Sequence, residues 1–461
     1  MNYFIKGIVP GKHQEKAIER MGYNFFFALF MEQGTGKTLC ALAHILKLLL
    51  SGEIKNCLVV CPKPVIQGWF NDIQLFKPFF RSILLKHMTI INYDMVWRRE
   101  EFFKNWDCII LDESHYIKNR TSRRSKFLLK CAKTAKYKYI LTGTPIGNSH
   151  WEEIWSQYSF LHFSIFGKYS AFEKKYCVLN EYFKPCYYKN VDELKQIIYT
   201  HAYAVKKEDC LDLPDKLPPQ RQYLELKEKA MYKQMLKNYI EELDLEAKNA
   251  VSRLVKLRQI CSGHLKDADG KAHKIKCEKP TILKDFLENW NDKLVIFAEF
   301  KQSIKDIETV VKKLKRKYVV LDGNQKDKSI WQQFQNEKGI QVIICQYRTA
   351  NAGINLYAAS TIIFYEPTLS SQIFEQACDR IHRIGQKQKC SYILFETEKT
   401  VEKKIWDALM KHRDFNETEV MSLLKEEGRV FFPDHKSLTG KQLENVILRI
   451  DKELEKRKEV G

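Results

Sequence analysis

Met31-Glu32-Gln33-Gly34-Thr35-Gly36-Lys37-Thr38 stands between an apolar run at 25–30 and a helical pattern at 39–50. In a strand, glycine-containing loop and helix of this order, backbone N–H groups converge on phosphate at a helix N-terminus, where the dipole favours negative charge. Gly34 and Gly36 give the loop its backbone freedom around Thr35. Lys37 has the reach to meet the β- and γ-phosphates of a nucleotide, and Thr38 offers a hydroxyl to Mg²⁺. The usual pattern opens on a glycine. Met31 holds that position here, so the match is to the G-T-G-K-T core.

Downstream, Asp112-Glu113-Ser114-His115 follows an apolar run at 108–111. Acidic residues at a strand end beside such a loop suit a metal site. Asp112 is expected to hold the metal, and Glu113 to orient and deprotonate an attacking water. Alone, these four residues could form a solvated turn. With the phosphate loop upstream they read as the second part of one machine.

Short apolar runs alternate with helical patterns twice over. They lie at 25–30, 57–61, 108–111 and 137–141, then at 294–298, 318–321, 341–345, 361–365 and 391–395. Continuous apolar strands separated by helices read as parallel sheets covered on both faces. The expectation is an α/β chain with sheet domains at 1–150 and 281–400. Between them, 151–280 is aromatic at first (Trp151, Trp155, Tyr158, Phe160, Phe163, Phe166) and helical from 227 to 261. The stretch from Leu211-Asp212-Leu213-Pro214 to Pro218-Pro219 reads as an extended hinge, because consecutive prolines bar a helix. Residues 401–461 are expected as a charged helical extension.

Composition narrows the function. At 461 residues the chain holds two or three domains of roughly 150 residues each. With 44% hydrophobic and 29% charged residues it is neither disordered nor fibrous. No apolar run approaches a membrane span of about eighteen residues, and the N-terminus lacks a signal-peptide pattern. The net charge of +20 favours polyanionic partners. Thirteen scattered cysteines fit a reducing compartment, so the expected location is cytoplasmic.

The order of P-loop, D-E-x-H and Thr142-Gly143-Thr144-Pro145 resembles a superfamily 2 helicase-type motor, and finer details resemble its Swi/Snf-like branch of double-stranded-DNA translocases. His13-Gln14 is similar to the glutamine motif that reads adenine. Leu58 to Pro62, with Lys63 and Trp69 after it, looks like the first strand-contact motif. Ile117-Lys118-Asn119, Trp151 to Trp155 and Phe166-Gly167 fit the same branch. In the second half, Asp322-Gly323, Gly353-Ile354-Asn355-Leu356, the run Gln376 to Gln386 and Thr400-Val401-Glu402 follow in the family's order. The resemblance covers about residues 1–410. It implies two RecA-like P-loop lobes, ATP and Mg²⁺ as ligands, and duplex DNA as partner. Gln14, Gly353 and Gln376 join the nucleotide site, while Lys63 and Thr142 become strand contacts.

Arg380 and Arg383 are expected to act as arginine fingers on the γ-phosphate, and their spacing of three places them on one face of a helix. The family's usual glycine pair before Gly353 is Ala350 and Asn351 here, which puts the loop's geometry in question. No accessory module is recognisable, which suits a phage, viral or bacterial member, in the host cytoplasm if phage-encoded. Lys118, Arg120, Arg123, Arg124 and Lys126 form a basic cluster that reads either as a solvated helix or as phosphate contacts. Cys261, His264, His273 and Cys277 have spacings that zinc could use, although Cys261 also reads as a packed helix end. Two other functions stay open. One is a strand-separating DNA or RNA helicase, and the other is a nucleic-acid-binding scaffold with an inactive nucleotide site.

Overall fold

The computed structural model describes residues 3–413 and 415, apart from residues 104, 147–149, 181–184, 244–249, 267–270, 324–329 and 351–353. The chain divides into two compact units, Met1–Leu213 and Pro214–Gly461.

The first unit carries β1 (Phe26–Met31), β2 (Cys57–Cys61), β3 (Met88–Asn92), β4 (Cys108–Asp112) and β5 (Tyr137–Leu141). A short hairpin of β6 (Cys177–Leu179) and β7 (Pro185–Tyr188) follows, then β8 (Ala202–Val205). Six of these strands form one sheet in the order β3-β2-β4-β5-β1-β8, with every pairing parallel. The apolar runs are continuous because both faces are covered. On β1, Phe27, Leu29 and Met31 enter one core layer while Ala28 and Phe30 enter the other. Each of the larger side chains, such as Leu29 and Phe27, contributes about 1.5–3 kcal/mol when fully buried. A parallel sheet also brings all its strand C-termini to one edge, so Met31, Asp112 and Leu141 end on the same side.

The second unit opens with β9 (Gln220–Leu224) and a hairpin of β10 (His264–Lys266) and β11 (Ala272–Lys274). It continues with β12 (Leu294–Ala298), β13 (Tyr318–Leu321), β14 (Val342–Gln346), β15 (Thr361–Phe364) and β16 (Ser391–Thr397). The sheet order is β13-β14-β12-β15-β16-β9, again parallel throughout. Leu294, Ile296 and Ala298 face one layer and Val295 and Phe297 the other. Two parallel-sheet lobes are therefore present, as the alternating runs imply.

The expected boundaries shift. Residues 151–280 do not form a body of their own. Their first part supplies β8 at one edge of the first sheet, and their second part supplies β9 at one edge of the second. β9, like β3, is a partly exposed edge whose sequence lacks a continuous apolar run, whereas the apolar run of β8 is only four residues long. The helical stretch at 227–261 is described as helices Lys229–Leu243 and Ala250–Cys261. Aromatic residues from 151 on serve mainly as packing. Phe166 meets Tyr158, Phe172 and Tyr176, and the indole N–H of Trp155 donates to Gly167 O at 3.2 Å. Of the expected extension, Val401–Met410 is a helix, while 416–461 lies outside the described residues. Among the described residues no helix is long and apolar enough to cross a membrane.

Candidate nucleotide site

The loop that leaves β1 is fastened from several sides. Gly34 and Gly36 have φ of 85° and 88°, left-handed values that residues with side chains avoid. Gly36 also has no room, since a Cβ there would come to 2.0 Å from Gln14 Nε2. Gln14 Nε2 donates to Thr35 O at 3.0 Å, and its Oε1 accepts from Gly11 N at 2.9 Å. His13 Nε2 donates to the same Thr35 carbonyl at 2.9 Å. Lys37 opens the helix Lys37–Leu50 and turns its Nζ back onto Met31 O at 2.6 Å and Glu32 O at 3.3 Å. Thr38 follows it, half-buried.

Asp112 ends β4, nearly fully buried, with its carboxylate held at both oxygens. Trp69 Nε1 donates to Oδ2 at 2.8 Å and Glu113 N donates to Oδ1 at 2.9 Å. Burial first, and then the charge of Glu113, push its carboxyl up to about 6. The Trp69 hydrogen bond and the nearby Lys37 offset this only in part. Tyr93 OH donates to the Asp112 carbonyl at 2.9 Å. Glu113 itself has φ of 51°, a left-handed value unusual for a side-chain-bearing residue and frequent where strain serves a site.

His115 Nδ1 lies 3.4 Å from Glu113 Oε2 and 3.4 Å from Thr142 Oγ1. Burial, followed by the charges of Lys118, Lys37 and Arg124, holds this ring down to about 3, so it is neutral at physiological pH. Thr142 follows β5 and is fully buried, and its hydroxyl accepts from Thr144 N at 3.1 Å. The Thr142 hydroxyl, expected at a strand contact, is engaged inside the loop beside His115. Gly143 packs on the phosphate loop, where a Cβ would stand 3.4 Å from Met31 O. Ser114 Oγ donates to Gln157 Oε1 at 2.6 Å, and Gln157 Nε2 donates to Pro145 O at 2.7 Å, so one buried glutamine ties the two loops together.

These donors fit a nucleotide triphosphate with one divalent cation. Lys37 and the loop N–H groups suit the phosphates, and a cation is the group that would relieve the buried charge of Asp112. Among the described residues no three His, Cys, Asp or Glu side chains gather for a metal. A cation here would rest on Asp112, Thr38 and the nucleotide's own oxygens, as Mg²⁺ commonly does.

In the second unit, Gln376 lies half-buried on the helix Ser371–Cys378. Arg380 and Arg383 lie beyond that helix, in the turns that follow it, which corrects the expectation of a shared helical face. The turn still brings them together. Arg380 Nη1 and Arg383 Nη1 donate to the same carbonyl, Ile354 O, at 3.4 and 3.3 Å, and Arg383 also reaches Asn355 Oδ1. Gln386 braces the turn, donating to Ala359 O at 2.8 Å and accepting from Lys387 N and Gln388 N at 2.9 Å each. Gly353 lies outside the described residues.

Of the expected nucleic-acid contacts, Lys63 is exposed on the turn Lys63–Val65. Lys118 pairs with Glu153 at 2.8 Å, Arg124 with Asp94 at 3.7 Å, and Arg123 lies over the Trp97 ring at 5.6 Å. The zinc spacing does not become a cluster. Cys261 and His264 are buried, whereas His273 is exposed on β11. Sequence reasoning missed Tyr93 and Gln157 altogether, and it marked Trp69 only as part of a strand-contact motif, not as a partner of Asp112. Trp69 and Tyr93 act through one long-range hydrogen bond each and Gln157 through two, and none of these leaves a periodic or spacing signal.

An SNF2-related domain matches residues 82–264, a helicase conserved C-terminal domain matches 278–385, and the res subunit of type III restriction enzymes matches 7–147. The ISWI chromatin-remodeling complex ATPase CHR11 of Arabidopsis thaliana is 26% identical over 447 residues, covering 87% of this chain and 41% of that protein. An uncharacterized ATP-dependent helicase of Mycoplasma genitalium is 26% identical over 409 residues, covering 81% of this chain and 38% of that protein. The chain thus spans less than half the length of these curated relatives. The SWI2/SNF2 ATPase core of Sulfolobus solfataricus, solved in complex with dsDNA, is 25% identical and covers 93% of this chain and 98% of that one, at a TM-score of 0.44. Two domain matches that follow one another from 82 to 385, on two six-stranded parallel sheets, make the chain similar to the Swi/Snf-like branch of superfamily 2 helicase-like ATPases.

Proposed function

We propose that the chain is an ATP-driven motor that moves along double-stranded DNA. The observation that carries this reading is the meeting of the Lys37 loop with Asp112 and Glu113 at one sheet edge, in a chain whose halves match SNF2-related and helicase C-terminal domains. Lys37 and the loop N–H groups bind the phosphates, and Gln14 lies beside the loop to meet the adenine. Thr38 and Asp112 would hold Mg²⁺, which would supply charge neutralisation for the phosphates. Glu113 takes the proton of the water that attacks the γ-phosphorus, the bond to the β,γ-bridging oxygen breaks, and ADP is the leaving group. Arg380 and Arg383 offset the transition-state charge, a contribution of about 10³–10⁵ in rate for arginine fingers. Gln376 is the further nucleotide contact from the second unit.

Lys63 and Arg123 are the first phosphate contacts on a duplex. Lys118 and Arg124 join them by leaving partly exposed ion pairs worth about 0–1 kcal/mol each. Such contacts position DNA without reading sequence. Steady-state ATP hydrolysis, measured alone and with duplex DNA, single-stranded DNA and RNA, tests the proposal. Duplex DNA is expected to stimulate most. Stimulation by single strands or RNA alone would replace the translocase with a strand-separating helicase, and no hydrolysis under any condition would leave a binding scaffold.

A further inference from the structure

Trp69 belongs to the helix Ile66–Ile73, well away in sequence from both nucleotide loops, and it is fully buried. A buried indole N–H must find an acceptor, and it can only donate. Its acceptor is Asp112 Oδ2 at 2.8 Å, while Glu113 N occupies Oδ1 at 2.9 Å. The two donors attach to different oxygens, so together they fix the rotation of the carboxylate as well as its position. Glu113 N is tied to Asp112 by the chain and comes with any sequence. Trp69 is the donor that the fold must bring from another element.

We infer that Trp69 is a positioning residue for the metal carboxylate. Its N–H holds Asp112 in the one orientation that leaves the remaining lone pairs of both oxygens open to a divalent cation. This rests on the nucleotide-site reading above. Groups that hydrogen-bond to metal ligands commonly govern metal affinity by about 10–100-fold when removed. The helix Ile66–Ile73 also follows directly on the exposed Lys63 turn, so the turn proposed to touch a strand adjoins the element that grips the metal ligand.

Trp69→Phe keeps an aromatic ring in the pocket and removes only the donor and part of the volume. A fluorescent ATP analogue is titrated onto the full chain with and without Mg²⁺, for wild type and for this variant. The half-saturating Mg²⁺ concentration is expected to rise about tenfold, while analogue affinity without Mg²⁺ stays within twofold. Equal Mg²⁺ dependence in the two proteins would overturn the inference and leave the nucleotide site standing. No Mg²⁺-dependent binding by wild type would overturn both.

A second measurement needs no variant, should Trp69→Phe fail to fold. In ¹⁵N-tryptophan-labelled wild type, Mn²⁺ is substituted for Mg²⁺ in the presence of ADP. One buried indole N–H resonance is expected to broaden before the others, because the Trp69 proton lies against the carboxylate that holds the ion. If no indole resonance responds, Trp69 does not adjoin the bound metal and the assignment fails.

Discussion

Glu113 shows at the residue scale what a strained backbone provides. Its left-handed φ of 51° follows directly on Asp112, so neighbouring carboxylates leave the strand end in different directions. One is buried under Trp69 while the other approaches His115. Glu113→Gln keeps the size and removes the base, so ATP binding should persist within a fewfold while turnover falls by at least about 10². Binding by fluorescence and turnover by phosphate release would separate the two, and normal turnover would remove Glu113 as the base. His115 gives a pH prediction. Its native ring is held down to about 3 against an ordinary 6.5, so between those values the unfolded chain binds a proton that the native ring refuses. Its contribution to stability is complete above about pH 6.5 and is lost as the pH falls. Asp112 acts with the opposite sign from about 3.8 to 6, because its native carboxyl is the one that protonates more readily. Thermal unfolding of nucleotide-free protein from pH 7 to 5 should therefore show a steeper fall in wild type than in His115→Gln. Parallel curves would show that the histidine does not titrate as described.

At the scale of elements, the second unit depends on an ion pair that water does not reach. Lys279 opens the helix Lys279–Glu288, and its Nζ lies 2.5 Å from Glu402 Oε1, with both side chains fully buried. The other oxygen of Glu402 accepts Thr397 N at 2.8 Å, which joins the end of β16 to the helix Val401–Met410. Burial opposes the charge on Lys279, but Glu402, then Glu366, keep the ammonium above its ordinary value. Removing one partner leaves the other charge buried and alone, at a cost of about 3–5 kcal/mol. Lys279→Met should lower the free energy of urea unfolding by that amount, and Lys279→Met with Glu402→Leu should recover much of it. A single variant as stable as wild type would mean that water enters the pair. The sequence marked Glu402 only through a family string and did not mark Lys279 at all, because the two partners are far apart along the chain.

For the whole molecule, the net charge of +20 is a long-range property that does not depend on any one contact. If Lys63, Lys118, Arg123 and Arg124 each neutralise one phosphate, duplex affinity should fall with salt at a log–log slope of about −0.9 for each contact. Fluorescence anisotropy with a short duplex between 50 and 200 mM salt measures this. A flat dependence would remove the phosphate contacts, and Lys63→Ala should reduce the slope by about one.

What the sequence by itself determined is whatever depends on neighbours along the chain. The continuous apolar runs fixed two parallel sheets, and the G-T-G-K-T core placed Lys37 at a helix N-terminus after β1. The D-E-S-H string placed Asp112 at the end of β4. Tertiary structure alone decided what depends on elements meeting in space. It assigned β8 and β9 to the edges of separate sheets, because pairing partners are chosen by packing and not by neighbours along the chain. It buried the hydroxyl of Thr142 and carried Arg380 and Arg383 past the helix end to share one carbonyl. It also delivered the Trp69 N–H to Asp112 and the Gln157 amide to two loops at once. A hydrogen bond between distant residues is specified by packing on both sides of a sheet, and no local pattern of polarity carries that information.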